Sequence, residues 1–209
     1  METELNGKLD GIGNRLRVER KKAGISQREL ARRLGLSPSL ISQIEGGLSN
    51  PSVGTLYAIV TELGLSLDRI IRGDQFEQSG TAPATTSIES VVRPHQRKAI
   101  DLDSGVRWEE LSTTNEDGVD FLEAIYEVGG ASTPDTTLMR HHGREYGYIV
   151  SGTLSVQIGF VRHDLGPGDS IAFDSTEPHR LFNDGDVPVR AIWFVAGRGS
   201  DHRNDPLPG

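Results

Sequence analysis

The chain has 209 residues, no cysteine and a formal net charge of −8. The lack of cysteine excludes disulfides and thiolate metal sites, and no apolar run approaches the roughly 20 residues that a membrane helix needs. With 35% hydrophobic residues, small cores are expected. The length fits one large domain or two small ones. No basic, apolar leader is read at the N-terminus, so a soluble, cytoplasmic protein with no membrane partner is expected.

The charge is divided unevenly. Residues 1–73 carry 11 basic side chains against 8 acidic ones, a net of +3, whereas residues 74–209 carry 11 against 22, a net of −11. A basic head on an acidic body points to phosphate as a partner of the head alone.

Residues 10–73 read as a bundle of five short helices. Ile12, Leu16 and Ala23 give a sparse apolar stripe through a basic first helix. Ser26 followed by Glu29 has the capping-box pattern and starts the second helix, which Gly35 ends. Ser37 is a good N-cap for the third helix, with Pro38 in its first turn and Gly46-Gly47 as its stop. Val53, Leu56, Ile59, Val60 and Leu63 recur at helical spacing in a fourth helix closed by Gly64. Leu67, Ile70 and Ile71 predict a short fifth.

Residues 74–90, rich in Ser, Thr, Gly, Ala and Gln, read as a linker. From about Val91 to residue 197 the period changes to two. Leu122, Ala124, Tyr126 and Val128 alternate with other residues, as do Leu154, Val156, Ile158 and Phe160. Gly129-Gly130, Ser151-Gly152, Gly166-Pro167-Gly168 and Asp184-Gly185 break the runs, which predicts an all-β sandwich or barrel. Residues 198–209 read as a loose tail.

On the third helix Leu40, Ile41 and Ile44 share one face and Ser39, Ser42 and Gln43 the other. Two short helices joined by a tight turn, the second polar on one face, have the shape of a helix-turn-helix that enters a DNA major groove. Gln43 can both donate to and accept from an adenine edge. Gln27 opens the second helix, where a phosphate can dock. Arg28, Arg32, Arg17 and Lys21 are further candidates for phosphate contact. The run from Gln27-x-Glu29-Leu30-Ala31 through Leu36-Ser37-x3-Ile41-Ser42-x-Ile44-Glu45-x-Gly47 to Pro51 and Thr55-Leu56 resembles the helix-turn-helix of the XRE/Cro/C1-type repressors. The resemblance implies a lambda repressor-like fold, a phosphate contact by Gln27, and Pro38, Ser39, Ser42 and Gln43 facing DNA. Arg28 and Ser37 complete the expected DNA-binding set. It also implies an internal ion pair between Arg20 and Glu45.

In the β-rich half, His141 and Glu145 share strand parity with Met139, and His142 has the opposite parity. His141 and Glu145 are therefore expected inside a barrel and His142 outside, with His179 joining from a later strand. His141-x3-Glu145-x6-Gly152 and His179-x3-Asn183, with the Gly168-Asp169 turn between them, resemble the two motifs of the cupin superfamily. The resemblance implies a double-stranded β-helix, or jelly roll. It departs from the pattern at Met139, which stands where the first motif has a leading His, and at Thr133, which stands where it has a Gly.

Two histidines and a carboxylate suit Zn(II), Fe(II), Mn(II) or Ni(II). His141, Glu145 and His179 are thus candidate metal ligands, and with Met139 they are also candidates to line a metal-free pocket for a small-molecule effector. A purely structural role is the third reading. Arg140, Arg144, Arg162 and Arg180 are candidates to neutralise an anionic effector. The chain is accordingly expected to be a non-enzymatic regulator that binds double-stranded operator DNA as a homodimer and senses a small molecule. The alternative is a metal-dependent cupin oxygenase or isomerase carrying a DNA-binding head.

Overall fold

The computed structural model describes residues 10–65, 67–72, 90–113, 118–134 and 137–197. The expected linker, apart from Ser90, and the expected tail lie outside the described residues.

The head begins with α1 (Asp10–Lys22), which buries Gly13, Leu16 and Arg20. Ala23, expected on the apolar stripe, lies beyond the helix end and is exposed. Helix α2 (Gln27–Leu34) starts where the Ser26 hydroxyl accepts the Glu29 N–H at 3.1 Å. The reciprocal half of the expected capping box is absent. The Glu29 carboxylate instead accepts from Arg32 and Arg33 at 2.7 and 2.8 Å. Helix α3 (Pro38–Glu45) is capped by Ser37, whose hydroxyl accepts the Leu40 N–H at 3.1 Å.

Helix α4 (Val53–Glu62), capped by Ser52, buries Val53, Leu56, Ile59 and Val60 in the head core. The expected fifth helix is only the six-residue α5 (Leu67–Arg72), so among the described residues four helices of eight residues or more carry the bundle. A segment little longer than one turn is held by packing rather than by its own propensity, and Leu67, Ile70 and Ile71 supply that packing.

Strands begin at Ala99, not at Val91. A 3-10 turn (Pro94–Gln96) precedes β1 (Ala99–Leu102). Then follow β2 (Val106–Glu110), β3 (Val119–Tyr126), β4 (Arg144–Ser151), β5 (Leu154–Ile158), β6 (Val161–Leu165), β7 (Ser170–Asp174), β8 (His179–Phe182) and β9 (Val189–Ala196). They form an antiparallel six-stranded sheet in the order β1-β2-β3-β9-β4-β7 and an antiparallel three-stranded sheet in the order β6-β5-β8.

Alternation puts Trp108, Ala124, Ala191 and Ile149 on the inner face of the large sheet, with Val156 and Leu181 buried on the small one. Val128 and Phe160, expected to continue strands, lie in turns and are exposed. Periodicity ran past the turns that Gly129 and Gly159 make.

Head and barrel meet through α4 and the loop before it. The Gly54 N–H donates to the Ser132 carbonyl at 2.9 Å, and the Asp103 N–H donates to the Pro51 carbonyl at 3.2 Å. A Cβ at Gly54 would lie 2.7 Å from the Thr133 methyl, so the approach requires glycine. Tyr57, one helical turn further on, is buried against the barrel with its ring 5.3 Å from that of Trp108.

Candidate functional site

Two constellations stand out, one in each half. On the head, Ser37, Pro38, Ser39, Ser42 and Gln43 are all exposed, whereas Ile41 and Ile44 of the same segment are buried. No part of the described barrel covers this polar face. The Ser37 hydroxyl is engaged as the α3 cap. Arg17, Lys21, Gln27, Arg28 and Ser42 line one cleft beside it, with Arg20 and Glu45 also in its wall.

Gln27 is not free in this cleft, because its amide donates to Glu45 at 2.8 Å. Glu45 in turn accepts from Arg20, so the carboxylate is neutralised from within the head. The arrangement offers a basic margin and short polar side chains to a duplex.

In the barrel, His141, Glu145 and His179 come together. Each is nearly sealed from solvent, with 7%, 4% and 0% of its surface exposed. His142 points outward, as parity predicts. His141 precedes β4 and is placed by its N–H donating to the Ser175 carbonyl. His179 opens β8, and its backbone pairs with Met139 at 2.8 and 2.9 Å. Residues paired this way project to the same side of a sheet. Met139 therefore flanks His179, partly buried against the core.

The proton positions follow from the backbone. His141 Nδ1 lies 3.1 Å from the His142 carbonyl and His179 Nδ1 lies 2.8 Å from the Glu177 carbonyl. A carbonyl only accepts, so each Nδ1 holds a proton, and Nε2 is the ring atom left to bind a metal. Both Nε2 atoms face Glu145 Oε1, at 2.9 and 3.1 Å, and none of the three has a hydrogen-bond partner.

Three buried electron-pair donors aimed at one point repel unless a positive charge joins them. Adjacent ligands of a cation bound at about 2.1 Å sit roughly 3 Å apart, so the spacing suits a divalent ion. The Trp193 indole donates to the other carboxylate oxygen at 2.7 Å, and this fixes the orientation of Glu145. Gly147 makes room for that indole, since a Cβ there would fall inside the Trp193 ring.

Other side chains singled out in the sequence lie elsewhere. Arg162 pairs with Asp164 and Asp184, and Arg180 packs over Phe182 and donates to the Thr133 carbonyl. Arg140 and Arg144 are exposed. Asn183 is structural: its amide donates to the Tyr126, Glu127 and Val187 carbonyls and its oxygen accepts the Gly185 N–H. Sequence reasoning missed Tyr57, whose ring stacks on His141 at 4.7 Å with planes 20° apart. The only signal was its place one residue off the apolar stripe of α4.

Comparison with known proteins agrees with this division. The helix-turn-helix family HTH_3 matches residues 16–70, and the cupin domain family Cupin_2 matches residues 122–195. The chain is 29% identical over 172 residues to the HTH-type transcriptional regulator PuuR of Escherichia coli, covering 82% of this chain and 86% of PuuR. It is 36% identical over 55 residues to the uncharacterized HTH-type transcriptional regulator y4dJ of Sinorhizobium fredii, covering 26% of this chain and 71% of y4dJ. Among solved structures, an HTH_3 family transcriptional regulator from Vibrio cholerae superposes with a TM-score of 0.64 at 23% identity, over 90% of this chain and 96% of that one.

The fold is thus that of a helix-turn-helix head joined to a cupin barrel. The chain belongs to the HTH-type transcriptional regulators, with an XRE-type head. No described helix is long and apolar enough to cross a membrane.

Proposed function

We propose that this regulator binds a roughly palindromic operator as a homodimer and that its barrel senses a small molecule through a divalent cation held by His141, Glu145 and His179. The observation that carries the DNA reading is the exposed Ser39, Ser42 and Gln43 face of α3 beside the cleft lined by Arg17, Lys21 and Arg28. Gln43 and the serines read base edges, while Gln27, Arg28 and the exposed start of α3 at Ser37 and Pro38 meet the backbone. Few long side chains reach the bases, so DNA shape carries part of the specificity.

The cation reading rests on the three converging lone pairs. A bound divalent ion supplies a Lewis-acidic anchor for an anionic or polar effector. The chain's own part is to hold Glu145 through Trp193 and both imidazoles through backbone carbonyls. Met139 flanks His179 in this pocket. An effector shifts operator affinity only by binding one arrangement of the heads better than the other.

Dimerisation is assigned to the outer face of the large sheet. There Phe121, Phe194 and Tyr146 form one cross-strand row, and Tyr148 and Val150 are about half exposed beside it. An apolar aromatic patch can pair with its own copy about a two-fold axis, which would set two heads at a fixed half-site spacing.

The test is an anisotropy titration of the full chain against the DNA upstream of its own coding region. The expected result is two chains per site and an affinity that falls steeply with salt. Binding that is indifferent to salt and to sequence would remove this reading.

A further inference from the structure

Among the described residues, three aromatic side chains pack on or bond to the triad, and all but one come from barrel strands. Phe173 of β7 packs on His179 at 5.0 Å, and Trp193 of β9 holds Glu145. The exception is Tyr57, which comes from head helix α4 and lies flat on His141. It is only 6% exposed, and its ring also touches Trp108 of β2. The head therefore furnishes part of the enclosure that leaves the triad nearly without solvent contact.

We propose that Tyr57 is a pocket residue contributed by the head, and that docking of the head and entry of a ligand to the triad exclude one another. The proposal rests on the cation reading of His141, Glu145 and His179. Two physical points carry it. First, with the triad atoms only 2.9 and 3.1 Å apart and the site sealed, a ligand must displace something to enter. Displacing Phe173 or Trp193 breaks strand pairing on both sides of β9 or along β7. Displacing Tyr57 moves α4 away from the barrel and leaves the strand pairing intact.

Second, among the described residues two main-chain hydrogen bonds, Gly54–Ser132 and Pro51–Asp103, tie the head to the barrel. Tyr57 sits on the same helix as Val53, Leu56 and Val60, which are buried in the head core. Withdrawal of Tyr57 thus carries the whole head with it. Filling the pocket releases the head, and a docked head keeps the pocket closed. The device acts through packing and does not depend on a change of protonation.

The protein carries its own reporters. Of its two tryptophans, Trp108 touches Tyr57 and Trp193 touches Glu145. The experiment uses the full chain, freed of metal and then mixed with Co(II) alone. Uptake is followed by visible absorbance and tryptophan fluorescence, and the amides of Gly54 and Asp103 by hydrogen exchange. Tyr57→Ala and Gly54→Val are run beside the parent. The second variant presses the helix off Thr133 without touching the triad, and serves if the first fails to fold.

The expected result is slow uptake by the parent, uptake faster by about tenfold or more in the variants, and a similar rise in exchange at both amides when the parent is loaded. If Co(II) binds all forms at one rate and exchange at both amides is unchanged, the exclusion is overturned while the cation site stands. If folded protein takes up no Co(II) in any form, the cation reading falls and this proposal falls with it.

Discussion

Arg20 and Glu45 form a buried ion pair that closes α1 onto the last turn of α3. Arg20 donates from Nε to one carboxylate oxygen and from Nη2 to the other, the latter at 2.8 Å, and Nη1 donates to the Ile25 carbonyl at 2.6 Å. The bond to Glu45 raises the Arg20 pKa above its ordinary value despite burial. The pair is a structural support beneath the exposed polar face, and it neutralises the Glu45 carboxylate within the head.

Removing one partner leaves the other charge buried alone. Glu45→Ala should destabilise the head by about 3–5 kcal/mol, read by urea unfolding. The double change Arg20→Met with Glu45→Leu should cost much less, because no stranded charge remains. Equal losses in the two variants would show that the pair matters only for packing.

For the α3 face, Gln43→Ala should weaken binding to the cognate site by about 1–3 kcal/mol and relax discrimination at one base pair. Arg28→Ala should weaken binding to all sequences alike and reduce the salt slope by about one. Anisotropy titrations at several salt concentrations separate the two effects. If both variants bind as the parent does, the reading face has been misassigned.

For the barrel, Trp193→Phe keeps the ring and deletes the indole N–H that orients Glu145. Metal affinity should fall by about 10–100-fold, as is usual when a ligand's supporting hydrogen bond is lost. His141→Ala and His179→Ala should abolish binding. Competition with a chelator measures all three. A Trp193→Phe protein with parental affinity would mean that the indole only fills space.

Acid sensitivity has a defined contributor in the head. Hydrogen bonds from Arg32 and then Arg33 lower the Glu29 pKa from 4.5 to about 2. A carboxyl depressed in the folded state stabilises the fold above its unfolded value, and that stabilisation disappears as pH falls through the folded value. The parent should therefore lose stability between about pH 4.5 and pH 2 relative to Glu29→Gln, in melts run in parallel. The difference will be small, because the group is exposed. Parallel pH profiles for the two proteins would contradict the assignment.

Much of this arrangement could be read from the chain, and the reasons are local. Ser26 and Ser37 cap helices with hydroxyls that reach three residues ahead, so sequence spacing suffices to find them. The inward direction of His141 and Glu145 followed from strand parity, although β4 begins only at Arg144. What escaped notice depends on distant contacts. Tyr57 is buried because the head docks on the barrel, and nothing in α4 alone predicts that partner. The Trp193–Glu145 bond needs β4 and β9 in register, with Gly147 opposite Trp193. Val128 and Phe160 continued an alternating pattern past glycine turns that ended the strands.

Ser39, Ser42 and Gln43 stay uncovered while Tyr57 is wedged in the barrel. If these side chains read a duplex as proposed, they are presentable in either posture, and switching need not mask them. Control can work by phase instead. A swivel about α4 in each half of a dimer would turn the two reading helices relative to one another. Successive major-groove faces recur every 34–36 Å or so along a duplex, so a modest swivel is enough to take one head out of step. The interval between half-sites, rather than their sequence, would then report whether the pocket is filled.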